Sequence, residues 1–146
     1  MLIRKSFKFE AAHIVRNAVS ERCKYSIHGH SYKVEVCLKG KVNSETGMVM
    51  DFIEVKNCGI YNLLDSYDHA TIIWSKDSDE YINDIKKHSK RIVMMDLNPT
   101  AENMAITFHK QIQKLLDKLN RDIKVEWVRV HETDTGYAQS EISDIN

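Results

Sequence analysis

The chain has 146 residues, with 21 basic and 21 acidic side chains and a formal net charge of zero. This length is sufficient for one domain with a hydrophobic core, and the balanced charge favours neither a nucleic-acid-binding protein nor one that binds a membrane surface. The three cysteines, Cys23, Cys37 and Cys58, form no CxxC motif, which favours reduced thiols in a cytoplasmic protein. The first six residues lack the apolar core of a signal peptide, and no segment approaches transmembrane length.

The first predicted element is a strand over residues 2–15. Phe7, Phe9 and Ala11 alternate with polar or small residues, which is typical of a strand with one buried face. His13 continues the odd-numbered apolar face. A histidine at such a position is more often a hydrogen-bonded core residue than a metal ligand, so His13 becomes a candidate ligand only if other histidines lie nearby.

The next segment has no clear periodicity and is predicted to form a loop that carries Cys23. A second strand follows over about residues 30–42, with apolar residues at even-numbered positions. His28 and His30 share this face, because strand side chains two residues apart point the same way. If the two strands pair antiparallel, His13 can meet both across the ladder. Three protein ligands with an open fourth position are typical of a catalytic zinc site.

A helix is predicted over about residues 52–66, with Asp51 as its N-cap, and Gly59 weakens the prediction near the middle. Asp68 and His69 follow this helix directly. An Asp-His dipeptide is most often an ordinary polar pair at a helix end. Its functional interpretation is a proton-transfer pair in which the carboxylate orients the imidazole.

Residues 75–90 are highly charged, with acidic residues first and lysines last, which favours a solvent-exposed helix. A short strand is predicted over residues 91–95. The longest helix is predicted over residues 101–119, with Thr100 as its N-cap. Glu102 lies in the first turn of this helix, where the helix dipole stabilises a carboxylate.

Two strands are predicted at the end of the chain, over about residues 123–132 and 137–142. The apolar residues change parity between Val125 and Val128, which indicates either a β-bulge or a strand with two apolar faces in the first of them. Glu132 ends that strand, where a solvated carboxylate would be ordinary. Strands on both sides of a block of helices predict an α+β fold, with a four-stranded antiparallel sheet and two helices on one face. Oligomerisation is one way to cover the open edges of such a sheet.

Six short motifs stand in a fixed order along the chain. They are Phe9-Glu10-Ala11-Ala12-His13, Cys23 followed by His28-Gly29-His30, Gly47-Met48-Val49-Met50-Asp51-Phe52, Asp68-His69, Pro99-Thr100-Ala101-Glu102-Asn103 and His131-Glu132-Thr133. Each motif alone is modest, but the ordered set is specific. Over most of its length the chain resembles the 6-pyruvoyl-tetrahydropterin synthase and 6-carboxy-tetrahydropterin synthase family.

The resemblance implies a single tunnelling (T-fold) domain over residues 1–146, with a surface insertion at about 75–95. Such subunits commonly assemble as a hexamer of two stacked trimers, with active sites at subunit interfaces and a pterin as the small-molecule substrate. The implied site comprises three Zn²⁺ ligands (His13, His28 and His30), three catalytic residues (Cys23, Asp68 and His69) and three residues of the pterin pocket (Glu132, Thr100 and Glu102).

Several reactions are compatible with the resemblance. The first expectation is a zinc-dependent lyase that converts 7,8-dihydroneopterin triphosphate to 6-carboxy-5,6,7,8-tetrahydropterin, acetaldehyde and triphosphate, as in queuosine biosynthesis. The alternatives are 6-pyruvoyl-tetrahydropterin formation, an aldolase-like cleavage to a hydroxymethyl pterin, and a non-catalytic pterin- or purine-binding module. Four residues separate Cys23 from His28, a spacing that differs from that of typical bacterial and animal members, so Glu21 is a rival to Cys23 as the base.

Overall fold

A computed structural model describes residues 1–146. The elements in chain order are β1 (Leu2–His13), α1 (Glu21–Tyr25), β2 (His28–Gly40), α2 (Phe52–Asn57), α3 (Ile60–Asp65), β3 (Ala70–Trp74), α4 (Asp79–His88), β4 (Ile92–Met95), α5 (Ala101–Asp117), β5 (Ile123–Thr133), β6 (Gly136–Glu141) and α6 (Ile142–Ile145). None of these helices combines the length and the apolar sequence that crossing a bilayer requires.

All six strands form one sheet, in the order β4-β3-β1-β2-β5-β6. The pairs β1–β2, β2–β5 and β5–β6 are antiparallel, whereas β1–β3 and β3–β4 are parallel. The prediction of a four-stranded antiparallel sheet is therefore wrong in strand number and direction, although the four strands it named are present. Strand β3 was missed because Ile72 and Ile73 are buried side by side, and such a strand lacks the alternation that identifies a one-sided strand.

The hydrophobic core lies on one face of the sheet, where α2, α3 and α5 cover it. The odd-numbered residues of β1 and the even-numbered residues of β2 point into this core, as the alternation predicts. Phe9 stacks on Tyr32 across the two strands, with 4.9 Å between the ring centroids, and meets Phe108 of α5 edge to face. The same alternation carries the histidines at the ends of β1 and β2 toward the covered face.

The single helix predicted over residues 52–66 is two short helices, α2 and α3. Asp51 caps α2 as predicted, since its Oδ1 accepts the N–H of Ile53 at 2.8 Å. Gly59 separates the helices with φ of 106°, a left-handed conformation that favours glycine. A Cβ on Gly59 would lie 3.1 Å from the side chain of Leu115. The glycine thus both breaks the helix and allows α5 to approach.

The charged segment predicted as a surface helix contains α4, which has one buried residue, Ile82. Ser78 caps α4 by accepting the N–H of Tyr81 at 3.2 Å. After α4 the chain returns as β4, which pairs in parallel with β3. Residues 75–95 therefore extend the sheet at its β3 edge as well as contributing a surface helix.

Candidate active site

Three histidines meet at one end of the core. His13 lies opposite His28 in the register of β1 and β2, and Ala11 lies opposite His30. The ring centroids of the three histidines are 4.6–5.1 Å apart, and one nitrogen from each ring lies within 4.8 Å of the others. The two-strand histidine cluster predicted from residue parity is therefore formed.

Backbone carbonyl groups set the orientation of these rings. The Nδ1–H of His13 donates to the carbonyl oxygen of Pro99 at 2.8 Å, and the Nδ1–H of His28 donates to that of Ser26 at 2.9 Å. Both rings therefore keep Nε2 as the atom with a free lone pair, as in many metal sites. Nε2 of His30 is buried and has no hydrogen-bond partner. A buried polar atom without a partner is rare, and a metal ion would satisfy it.

Burial favours the neutral form of this cluster. His13 is fully buried, and desolvation lowers its pKa from 6.5 to about 4, although the hydrogen bond to Pro99 opposes the shift. Burial is also the largest cause of the lowered pKa of His30, with Glu132 opposing it. Metal ligation requires neutral imidazoles, so the lowered pKa values of His13 and His30 favour the protonation state that binds a metal ion.

Glu132 lies at the edge of the histidine cluster. Its Oε1 is 3.4 Å from Nε2 of His13 and 3.7 Å from Nε2 of His30. The register between β5 and β6 shifts between His131 and Thr133, and Glu132 occupies this shift. Glu132 shares its parity with the buried Val128 and Val130, which indicates that its side chain points inward, and it is partly exposed rather than fully solvated.

Asp68 and His69 form a pair as predicted, but away from the three histidines. Nδ1 of His69 lies 2.8 Å from Oδ2 of Asp68, and Oδ1 of Asp68 accepts the N–H of Glu10 at 2.8 Å. This backbone hydrogen bond is the largest cause of the lowered pKa of Asp68, followed by the hydrogen bond to His69. His69 has φ of 58°, a conformation that costs energy in a residue other than glycine and is typical of functional sites.

The cavity beside His69 lies on the face of the sheet opposite the core. It has a volume of about 390 Å³ and is lined by Glu10, Ala12 and Ser31, which face outward from β1 and β2, and also by Ala11 and His30. The imidazole of His69 is exposed to solvent. Within one chain, His69 therefore lies beside outward-facing residues of β1 and β2, and it is not part of the compact group formed by the three histidines.

Cys23 lies in α1, a single helical turn, and not in the predicted loop. The turn buries no residue and has no side-chain cap, so neither apolar periodicity nor a capping pattern marks it in the sequence. The carbonyl oxygen of Cys23 accepts the N–H of Val15 at 2.9 Å, and its thiol is free and half-buried. The thiol is not part of the compact group formed by the three histidines.

Thr100 caps α5 as predicted, since its Oγ1 accepts the N–H of Asn103 at 3.2 Å. Glu102 is exposed in the first turn of α5.

Sequence reasoning missed two neighbours of His13. One is the carbonyl of Pro99, and the other is the hydroxyl of Tyr32, 3.3 Å from Nδ1 of His13. Tyr32 was identifiable, since it lies two residues after His30 on the same face of β2.

Comparison with known proteins gives a consistent result. The family model described as 6-pyruvoyl tetrahydropterin synthase matches residues 2–142. A 6-carboxy-5,6,7,8-tetrahydropterin synthase of Helicobacter pylori (strain J99) is 38% identical, over 99% of this chain and 74% of that protein. A protein of the same name from Aquifex aeolicus is 34% identical, over 94% of this chain and 95% of that protein.

Solved structures confirm the fold. An uncharacterized protein from Wolinella succinogenes superposes with a TM-score of 0.77 and 23% identity, over 97% of this chain and 98% of that one. The 6-pyruvoyl tetrahydropterin synthase of Caenorhabditis elegans superposes with a TM-score of 0.69 and 23% identity, over 97% and 94% of the two chains. The predicted T-fold class is confirmed, with the correction that the sheet has six strands.

Proposed function

Because this chain belongs to the 6-pyruvoyl tetrahydropterin synthase family, we propose that it is a zinc-dependent lyase acting on 7,8-dihydroneopterin triphosphate. The proposed products are 6-carboxy-5,6,7,8-tetrahydropterin, acetaldehyde and triphosphate, in queuosine biosynthesis. The observation that favours this reaction within the family is the relative of that name at 38% identity over 99% of the chain. The three free cysteines are compatible with a reducing compartment, and we infer a cytoplasmic location.

We propose His13, His28 and His30 as the ligands of a zinc ion. Three imidazoles whose ligand nitrogens lie within 4.8 Å of one another match the donor set of a catalytic zinc site. A zinc ion bound there would polarise hydroxyl or carbonyl oxygens of the substrate side chain and make an adjacent C–H more acidic. The carbonyls of Pro99 and Ser26 support this role, because they hold two of the rings in place.

Glu132 is the proposed anchor of the pterin ring. A carboxylate can accept two parallel hydrogen bonds from the flat donor edge of a pterin. Its position 3.4 Å from Nε2 of His13 supports this role, because a pterin held there would direct its side chain toward the metal ligands. Thr100 and Glu102, at the start of α5, are proposed to complete the pocket with backbone N–H groups and a supporting carboxylate.

Cys23 is the proposed base that removes a proton from the substrate side chain. A thiol near a bound dication and histidines is favoured as the thiolate. Glu21 lies two residues before it in the same turn and is the rival base. Asp68 and His69 are proposed for the second proton transfer, because the carboxylate orients the imidazole.

We propose that Asp68 and His69 act in the active site of a neighbouring subunit. Strand β1 pairs with β3 only at residues 11–13, so most of its edge on that side has no partner strand. Strand β6, at the other end of the sheet order, has a free edge as well. We propose that β6 of one subunit pairs antiparallel with the β1 edge of the next, in a hexamer of two stacked trimers. This pairing would bring Glu132 of one subunit beside the Asp68–His69 pair of its neighbour.

One incubation tests the proposed reaction. Zinc-loaded protein is mixed with 7,8-dihydroneopterin triphosphate, and the products are identified by mass spectrometry. Release of acetaldehyde with 6-carboxytetrahydropterin supports the proposal, whereas a pyruvoyl or a hydroxymethyl pterin identifies another reaction of the family. Zinc and pterin binding with no turnover would overturn the enzyme assignment in favour of a binding module. A matched incubation without protein is the control that separates catalysed from spontaneous breakdown.

A further inference from the structure

Arg16 connects the turn that carries Cys23 to the charged segment 75–95. Its Nε–H donates to Oδ2 of Asp77 at 2.8 Å, and a terminal N–H donates to the carbonyl oxygen of Lys24 at 3.0 Å. The guanidinium also lies over the ring of Tyr81 in α4, with 5.0 Å between its carbon and the ring centroid. One side chain therefore contacts the residue after Cys23, the loop before α4 and α4 itself.

The Arg16–Asp77 ion pair is shielded and rigid. The side chain of Asp77 is only 7% exposed and that of Arg16 is 26% exposed. The second carboxylate oxygen of Asp77 accepts the N–H of Ser78 at 2.7 Å. The backbone N–H of Asp77 donates to the carbonyl oxygen of Trp74 at 3.0 Å. A charge-assisted hydrogen bond in such surroundings is stronger than an exposed surface pair. Arg16 is thereby fixed to the segment between β3 and α4.

Helix α1 depends on such external contacts for its position. It has five residues, buries none of them and has no side-chain cap. Helices of this length do not persist by themselves in water. Two hydrogen bonds connect its carbonyl oxygens to the chain that follows β1. The N–H of Val15 donates to Cys23, and Arg16 donates to Lys24.

Two further hydrogen bonds link the backbone of Arg16 to the segment that orients His13. The side-chain amide of Asn98 donates to the backbone carbonyl of Arg16. The next residue, Pro99, accepts the hydrogen bond that orients His13. Arg16 therefore lies between the turn that carries Cys23 and the backbone segment that fixes the ring of His13.

We propose that Arg16 and Asp77 are positioning residues for catalysis, and that segment 75–95 serves to hold α1 and the Cys23 thiol in a fixed position relative to the three histidines. They act through the carbonyl of Lys24 and touch neither the histidines nor the thiol. This inference rests on the proposed catalytic role of Cys23. It gives a function to a segment that the proposed reaction does not otherwise use.

Asp77→Asn tests this inference, because asparagine keeps the shape and the acceptor for Ser78 but removes the charge that holds Arg16. The full-length zinc-loaded protein is measured in two ways: hydrogen exchange of the amides of residues 20–25, and kcat and KM for 7,8-dihydroneopterin triphosphate. We expect exchange over this turn to rise at least about threefold, because its local opening becomes easier. We expect kcat to fall about tenfold with KM changed by less than about twofold, because a misplaced base affects the transition state more than binding.

Two further variants make the result specific. Asp84→Asn removes an exposed carboxylate of α4 that pairs only with Lys87, and it should leave exchange over residues 20–25 and kcat unchanged. Arg16→Lys keeps the positive charge but loses the planar fork, and it should give an intermediate effect even if Asp77→Asn folds poorly.

Wild-type exchange over residues 20–25 in both Asp77→Asn and Arg16→Lys would overturn the inference, and so would raised exchange with unchanged kcat. Failure of the proposed function is recognised separately, by the absence of turnover in the wild-type protein. In that case the hydrogen-exchange rates of the amides of residues 20–25 are sufficient to show whether Arg16 and Asp77 hold the turn in position.

Discussion

His13 and His28 lie directly opposite each other in the antiparallel pair of β1 and β2, with 4.6 Å between their ring centroids. Their Nδ1–H groups donate to the backbone carbonyls of Pro99 and Ser26, so Nε2 of both rings is available to a shared ligand. His30 joins them because it lies two residues after His28 on the same face. The cluster is therefore built on paired strands, which makes it rigid.

The first prediction concerns the metal. We expect purified protein to contain about one zinc ion per chain, bound by three histidines with an open fourth position. His28→Ala should lose the metal and keep a folded oligomer, since His28 lies at the end of β2 outside the hydrophobic core. Elemental analysis by mass spectrometry measures the occupancy. His88→Ala, on the exposed surface of α4, is the matched control, and full occupancy after removal of all three ligands would contradict the assignment.

The second prediction concerns recognition of the pterin. Glu132→Gln replaces one acceptor oxygen with a donor that would face the N–H edge of the ring, and we expect binding to weaken by about 2–3 kcal/mol. Stability should change much less, because Glu132 is partly exposed. A titration with a pterin analogue at matched zinc occupancy measures the effect. Equal affinities of the two proteins would remove Glu132 from the pocket.

The third prediction separates two candidate bases. Cys23→Ala should retain zinc and pterin binding but lose turnover by about 10²–10⁴-fold, the usual effect of removing a positioned acid or base. Glu21→Gln should leave most turnover intact. Initial rates with products identified by mass measure both. Near-full activity of Cys23→Ala together with an inactive Glu21→Gln would assign the base to Glu21 and favour the hydroxymethyl pterin reaction.

The fourth prediction tests whether the site spans two subunits. His69→Ala and Cys23→Ala are each expected to be inactive as pure oligomers. Co-expression of the two variants with different affinity tags should restore up to about a quarter of wild-type activity in mixed oligomers, because some sites then combine an intact Cys23 with an intact His69 of the neighbour. Mixed oligomers without activity would mean that each chain supplies both residues of its own site.

The fifth prediction concerns the pH dependence of stability. His109 of α5 is fully buried, and burial lowers its pKa from 6.5, although the carbonyl oxygens of Ser140 and Val125 that face its two ring nitrogens favour the protonated form. Because the unfolded chain then binds a proton that the folded chain does not, the free energy of unfolding should fall as the pH drops below 6.5. His109 can contribute at most about 1.4 kcal/mol per pH unit.

Urea unfolding of the wild-type protein and of His109→Gln, at about pH 7.5 and about pH 5, measures this contribution. Glutamine retains a donor and an acceptor but does not titrate, so the variant should lose less stability between the two conditions. An equal loss in the two proteins would show that His109 does not contribute. His13, the other buried histidine, is common to both proteins, so its contribution cancels in the comparison.

The local patterns that succeeded depend on near neighbours in sequence. Alternation identified the buried faces of β1 and β2, and the capping roles of Asp51 and Thr100 follow from residues two or three positions away. The parity change in β5 correctly indicated a bulge, which the structure places opposite Cys37 and Leu38. From the sequence, Gly59 only weakened the prediction of one helix over residues 52–66 and did not predict two helices. The reason is that its conformation depends on packing against Leu115.

The sequence by itself determined which residues share a face, and therefore that His13, His28 and His30 could meet across two paired strands. Only the tertiary structure decided that β3 and β4 join the sheet in parallel and that Asp68 and His69 form a pair outside the compact group of those histidines. Only the tertiary structure, likewise, brought Arg16 and Asp77 together beside the turn that carries Cys23. The reason is physical: side-chain parity is a property of each strand, whereas strand order, the sheet face that a loop reaches and contacts between distant residues depend on how the whole chain packs.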